Sequence, residues 1–142
     1  MATTTATVTL SSDLLSDAMS VTSSTTCMKA ETTSDGLDQC KMGYKEIPTG
    51  TNFDLLGADN AATGNLNKAN KVYICNNSTD ETYYIVITID AIVIGRLYAG
   101  DWMFIPWGAE DATADIEIQA YTGTNKITYM WFHEGEVLNT TL

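Results

Sequence analysis

Basic residues are the scarcest class in this sequence: seven Lys and Arg stand against 18 Asp and Glu, a formal net charge of −11 over 142 residues. Binding to a phosphate backbone rests on several cationic contacts, so a chain this acidic is repelled by nucleic acid and by an anionic membrane surface. Neither is an expected partner. Histidine occurs once, at His133, which leaves every serine and cysteine without a partner base. The chain has no G-x-S-x-G elbow, papain-like cysteine signature or glycine-rich phosphate loop. No enzymatic activity and no cofactor are expected. Cys27, Cys40 and Cys75 are widely spaced with no C-x-x-C pair, and read as reduced thiols at buried or half-buried positions. No run approaches the ~20 apolar residues that span a bilayer, and MATTTATVTLSSDLL lacks the basic and apolar regions of a secretory signal. Synthesis in the cytoplasm is the expectation.

Metal sites are also short of ligands. His133 with Glu134 and Glu136 supplies one nitrogen and two carboxylates, where zinc takes three or four convergent ligands. Glu110, Asp111 and Asp115 lack the D-x-[DN]-x-[DN]-G spacing of a calcium loop. A surface histidine and a solvated acidic loop are the plainer readings.

What is present is β-forming. A chain of this length is one domain, able to bury about 68–70% of the surface it exposes unfolded. VYIC (Val72 to Cys75), YYIVITI (Tyr83 to Ile89), DIEIQAY (Asp115 to Tyr121) and KITYMWF (Lys126 to Phe132) are short β-branched and aromatic runs. Asn, Asp, Gly and Thr clusters separate them at roughly the 8 to 12 residue spacing of an antiparallel sandwich. In GRLYAGDWMFIPW, two apolar runs meet at a corner of Gly100 and Asp101, which reads as a hairpin. The fold class expected is an all-β antiparallel sandwich, jelly-roll-like, over residues 51–142.

Residues 1–50 carry too few apolar side chains for a core of their own and are expected as an extended amino-terminal arm with loops. Thr3 to Leu10 and Ser20 to Ala30 have strand propensity and suit the edge of the main sheet. Ser12 to Met19 suits one or two helical turns. Between Gly36 and Lys71 one short strand is expected, at Phe53, Leu55 and Leu56, with an exposed loop over 59–70.

Alternation places Ile116, Ile118 and Ala120 on a dry face opposite Glu117, Gln119 and Tyr121. Elsewhere both faces are apolar: Val86, Met130 and Phe132 lie opposite the residues assigned to the core. These three form an expected interface together with Leu10, Leu14 and Leu15 of the arm. Trp107, just after Pro106, is the aromatic expected at the surface, where it would suit stacking on a sugar.

The runs KVYICNNS, IGRLYAGDWMFIPW, ADIEIQAY and ITYMWF together resemble small virion structural proteins of tailed bacteriophages, especially those of cyanobacteria and marine bacteria. Val72 to Asn76 matches their V-Y-I-x-N strand, and Ile94 to Asp101 their I-G-R-L-x-x-G-[DE] corner. Trp102 to Pro106 matches the aromatic strand, and Tyr129 to Phe132 the terminal Y-x-x-F. TVTLSSDLLSDAMSV and Gly36 to Gln39 extend the likeness over most of the chain. The resemblance implies a capsid decoration or cement protein on the outer surface of the head, with the major capsid protein as partner and a homo-oligomer on the particle. Neck or tail accessory proteins share such small sandwiches and are the first alternative. A carbohydrate-binding module for attachment to the host is the second.

Overall fold

The computed structural model describes residues 4–14, 16, 19–58, 68–109 and 113–134, and places ten strands among them. β1 (Thr4–Ser12) and β2 (Met19–Cys27) pair only with each other. β3 (Gln39–Ile47), β5 (Lys71–Asn76), β8 (Trp102–Pro106) and β10 (Asn125–His133) form one sheet in the order β3-β10-β5-β8. β4 (Asn52–Leu56), β6 (Tyr84–Ile89), β7 (Ile92–Tyr98) and β9 (Ile116–Tyr121) form a second in the order β4-β9-β6-β7. Every strand pairing is antiparallel. From β3 to β10 the chain changes sheet at each connection except β6 to β7, which is the order of a jelly roll.

The core lies between the sheets and follows from period-2 alternation. Val72 and Ile74 of β5 with Ile127 and Trp131 of β10 face Ile85 and Ile87 of β6 and Ile116, Ile118 and Ala120 of β9, all buried. Each such aliphatic side chain contributes about 1.5–3 kcal/mol by leaving water. β6 runs between β9 and β7, a central position in its sheet, as its two apolar sides suggest.

Three sequence expectations are corrected. First, the corner at Gly100 and Asp101 is not a hairpin: it carries the chain from β7 in one sheet to β8 in the other. The reason is local. Gly100 has φ +87 while Ala99 stays out of the left-handed region, and the Asp101 N–H donates to the Tyr98 carbonyl at 2.9 Å, which makes a type II turn. Type II turns splay strands whose twist would suit a primed turn, so the two runs separate. The arch is clamped to the end of β5, where the Gly100 N–H donates to the Asn76 carbonyl (2.7 Å) and the Asn76 N–H to the Asp101 carbonyl (2.9 Å).

Second, residues 1–50 are not an extended arm. β3 pairs along its length with β10 inside the sandwich, and β1 and β2 form a hairpin of their own instead of joining a sheet edge. β3 is polar because Lys41 and Lys45, on its inward side, set their ammonium groups over the rings of Trp131 and Phe53, with Nζ 5.2 and 5.5 Å from the centroids. Where helical turns were expected, Ser12 ends β1 and Met19 begins β2, and Leu15 lies outside the described residues.

Third, Trp107 is 2% exposed. Its indole N–H donates to the Ala114 carbonyl at 2.8 Å and its ring meets Trp131 edge-on at 5.6 Å. His133 is likewise buried, stacked on Trp131 at 4.2 Å, where a surface position was expected.

Gly100 gives a direct test of the arch. Nothing lies within 4 Å of a Cβ built there, so a substitution meets only the conformational cost of φ +87. Gly100→Val is expected to lower stability by about 1–3 kcal/mol, read from thermal melting. Melting unchanged from the parent chain would mean that the backbone does not need that conformation.

Candidate interaction surface

The two sheets turn very different outer faces to the surroundings. On the first sheet the register sets three rows across the strands. Tyr44, Thr128, Cys75 and Trp102 form one; Met42, Met130, Tyr73 and Phe104 the next; Cys40, Phe132, Lys71 and Pro106 the third. Lys71 is the one charged residue in these rows; the face's charged pair, Glu46 opposite Lys126, stands in the row beyond Tyr44 and Thr128, at the end of the sheet. On a chain of net charge −11 that is a marked segregation. The aromatic side chains are in mutual contact, Tyr73 with Trp102 at 6.2 Å between centroids and Phe104 edge-on to Phe132 at 6.4 Å.

The β1–β2 hairpin lies over this face. Thr4 to Val8 and the side chains of Tyr73, Trp102, Phe104, Met130 and Phe132 line a groove of about 400 Å³ between hairpin and sheet. The hairpin itself has two chemically distinct sides. Thr5, Thr7, Thr9 and Ser11 stand opposite Thr26, Ser24, Thr22 and Ser20, an outward ladder of hydroxyls in which Thr7 bonds Ser24 at 2.9 Å and Thr9 bonds Thr22 at 3.2 Å. The other side carries Ala6, Val8 and Leu10, with Val21 and Met19 across from its distal end. Ala6 and Val8 are half-buried over the sheet. Beyond them Leu10, Val21 and Met19 are exposed, and Leu14 in the turn is 91% exposed. The sheet-facing side of the hairpin thus runs on past its own sheet as an uncovered apolar tongue. A two-stranded hairpin is marginal alone in water, so such a tongue gains most from a neighbour.

The base of the hairpin is anchored by a buried carboxylate. Glu134, 5% exposed, accepts the Ala30 N–H and the Ala69 N–H (3.4 Å) and pairs with the Lys68 ammonium at 3.4 Å. Lys29 and Asp38 form a second pair at 2.9 Å, which holds the Lys29 ammonium above its ordinary pKa. The Glu134 contacts tie the segment after β2 to the end of β10, and the Lys29–Asp38 pair closes that segment on itself.

The second sheet presents a polar face. Asp54, Glu117 and Thr88 form one row, and Asn52, Gln119, Val86 and Arg96 the next. Desolvation and the neighbouring Glu117 raise the Asp54 carboxyl above the usual range. Tyr121, Tyr84 and Tyr98 make a third row, with Arg96 over the Tyr84 ring at 5.2 Å. Tyr84 and Tyr121 are stacked on each other, 5° from parallel at 5.3 Å, so their faces are spent on one another and their edges meet solvent.

The expected interface residues therefore do not form one patch. Met130 and Phe132 lie on the outer face of the first sheet, beneath the hairpin, whereas Val86 lies on the outer face of the second, between Arg96 and Gln119. Alternation separates inward from outward residues but cannot say which sheet an outward residue belongs to. Leu10 and Leu14 are on the tongue and exposed. Trp102, in place of Trp107, is the half-exposed tryptophan, and Tyr44 in the same row is as open. Among the described residues no group of three or more His, Cys, Asp or Glu is gathered to hold a metal. Glu110, Asp111 and Glu136 lie outside the described residues.

No family model, no curated protein and no solved structure matches this chain.

Proposed function

We propose that this protein is a non-enzymatic structural component of a phage virion, a decoration or cement protein that docks on the outside of the head lattice. The observation that carries the reading is the apolar outer face of the first sheet, with Glu46 and Lys126 only at its end, continued by the tongue of Leu10, Leu14, Met19 and Val21. An apolar surface of that kind on an acidic chain suits burial against another protein, with charge kept to the rim where it maintains solubility. Acidity also suits the outside of a head, since packaged DNA repels it. The chemistry of the contact is complementary apolar surface on the major capsid protein, repeated at many sites so that modest individual contacts add.

Apolar docking survives salt, and ionic docking does not. Purified particles washed in about 1 M salt, where the Debye length is about 3 Å, are expected to retain the protein. Leu14→Asp and Met42→Asp chains, altered at exposed positions with no role in the core, are expected to melt like the parent and to be missing from washed particles. Release of the parent by salt, or full retention of both variants, overturns the reading. The copy ratio to the major capsid protein separates a lattice position from a neck or tail one: hundreds of copies fit the lattice, a handful the neck or tail.

A further inference from the structure

β7 is an edge strand of the second sheet and lies away from the surface just described. Edge strands expose unpaired main-chain groups and are usually blunted by charge, proline or a bulge that turns the strand aside. β7 has a bulge, since Ile87 faces Gly95 while the next residue, Thr88, faces Val93, leaving Ile94 as the extra residue. Here the bulge does not protect. It breaks the alternation so that Ile92, Val93 and Ile94 are all exposed, at 65%, 63% and 49%.

Two further observations concern the same strand. Gly95 flanks the bulge, has no positive φ, and nothing lies within 4 Å of a Cβ built on it, so the strand presents bare, open backbone there. A strand glycine accompanies a bulge or the close approach of another backbone, and the open side of Gly95 has room for such an approach. The segment from Asp90 to Arg96 is also charge-complementary to itself: an acid, then Ala-Ile-Val-Ile-Gly, then a base. Arg96 is the only arginine of the sequence, is exposed, and makes no ion pair among the described residues. Asp90 is held at the hairpin tip by its left-handed φ of 51 and by the Thr113 hydroxyl donating to its carboxylate at 2.9 Å.

We propose that β7 is a self-association edge: β7 of a second copy of this chain lies antiparallel to it across a two-fold axis at Val93. In that register Val93 meets Val93 and Ile92 of each copy meets Ile94 of the other, while the turn beyond the strand end brings Asp90 of each copy within reach of Arg96 of the other. Gly95 stands opposite Ala91, two small residues that let the charged ends draw together. A two-fold contact of this kind is self-complementary, which a foreign partner has no reason to match. The proposal is independent of the virion reading, because the docking face there belongs to the other sheet.

The test is the oligomeric state of the purified full chain by sedimentation velocity, at about 100 μM, so that any contact with a micromolar Kd is populated. A dimer of the 15.4 kDa chain is expected. Val93→Asp places two carboxylates at the axis and should give a monomer of unchanged circular dichroism. Arg96→Glu and Asp90→Lys should each weaken self-association at least tenfold, by setting like charges opposite at both ends. Mixed together, those two variants regain opposite charges at both ends and should dimerise again. A monomeric parent chain, a dimer indifferent to Val93→Asp, or a mixture no more associated than its components overturns the proposal.

Discussion

Replacing Trp107 by alanine is expected to cost about 3–5 kcal/mol, the range for emptying a large aromatic from a packed core. The side chain is 2% exposed between the sheets, meets Trp131 edge-on, and satisfies the Ala114 carbonyl through its indole N–H. Against a total stability of about 5–15 kcal/mol for a domain, that loss would leave a marginal protein. Trp107→Phe keeps most of the volume and loses the hydrogen bond, so it should fall between the two, down by about 1–3 kcal/mol for the carbonyl left unpaired. Urea unfolding of the three chains measures both steps. An alanine variant as stable as the parent would return Trp107 to the surface, where its place after Pro106 suggested it belonged.

The second large effect is expected at Asn76. Its side chain is fully buried at the end of β5, where the amide N–H groups donate to the Leu97 carbonyl (3.0 Å) and to Asn125 Oδ1 (3.0 Å), while Oδ1 accepts the Ser78 N–H (3.1 Å). Three partners in three chain segments lose a bond if the amide goes, each worth about 1–3 kcal/mol when left unsatisfied in the interior. Asn76→Ala should therefore cost roughly 3 kcal/mol or more, and should loosen the arch between the sheets as well as β5. Asn76→Asp adds a sign that can be checked. A carboxyl buried at that point has its pKa raised by desolvation, so its protonated form, which still donates one hydrogen bond, is favoured in the folded chain. Stability of that variant is then greatest below the ordinary carboxyl pKa and falls as pH rises through the elevated folded value. A pH-independent difference between Asn76→Asp and the parent would show that the carboxyl reaches water.

How much of this was readable in the residues can be judged strand by strand. Ile116, Ile118 and Ala120 alternate with polar neighbours, and the structure buries each of them, because one wet face makes the period visible. β3 was hidden by Lys41 and Lys45, whose charges read as a wholly wet strand although their ammonium groups lie over aromatic rings. At the Gly100 corner the turn residue was evident, but the destination of the next strand depends on whether one or two central residues have positive φ, which the letters Ala-Gly-Asp leave open. For the surface, Leu10, Met130 and Phe132 were recognisable as outward apolar side chains, yet the placing of Val86 on the other sheet needed the strand order. The hydroxyl ladder had a signal that went unused: in Ala6-Thr7-Val8-Thr9-Leu10 apolar and hydroxyl residues alternate, and Ser20 to Thr26 offers it a hydroxyl-rich partner.

The strand order also sets when the domain can fold. β10 lies between β3 and β5, pairing Ile47 with Asn125 and Asn76 with Ile127, so β3 has no partner and β5 only β8 until the chain has been synthesised through about residue 133. Sandwiches dominated by such distant pairings fold in milliseconds to seconds, far slower than helical domains of similar size. During elongation at about 5–20 residues per second the apolar runs of β5, β6 and β7 leave the ribosome before the strand that closes the first sheet exists. The nascent chain thus spends several seconds with β-branched segments uncovered, and its excess of negative charge is what keeps neighbouring nascent chains apart in that interval.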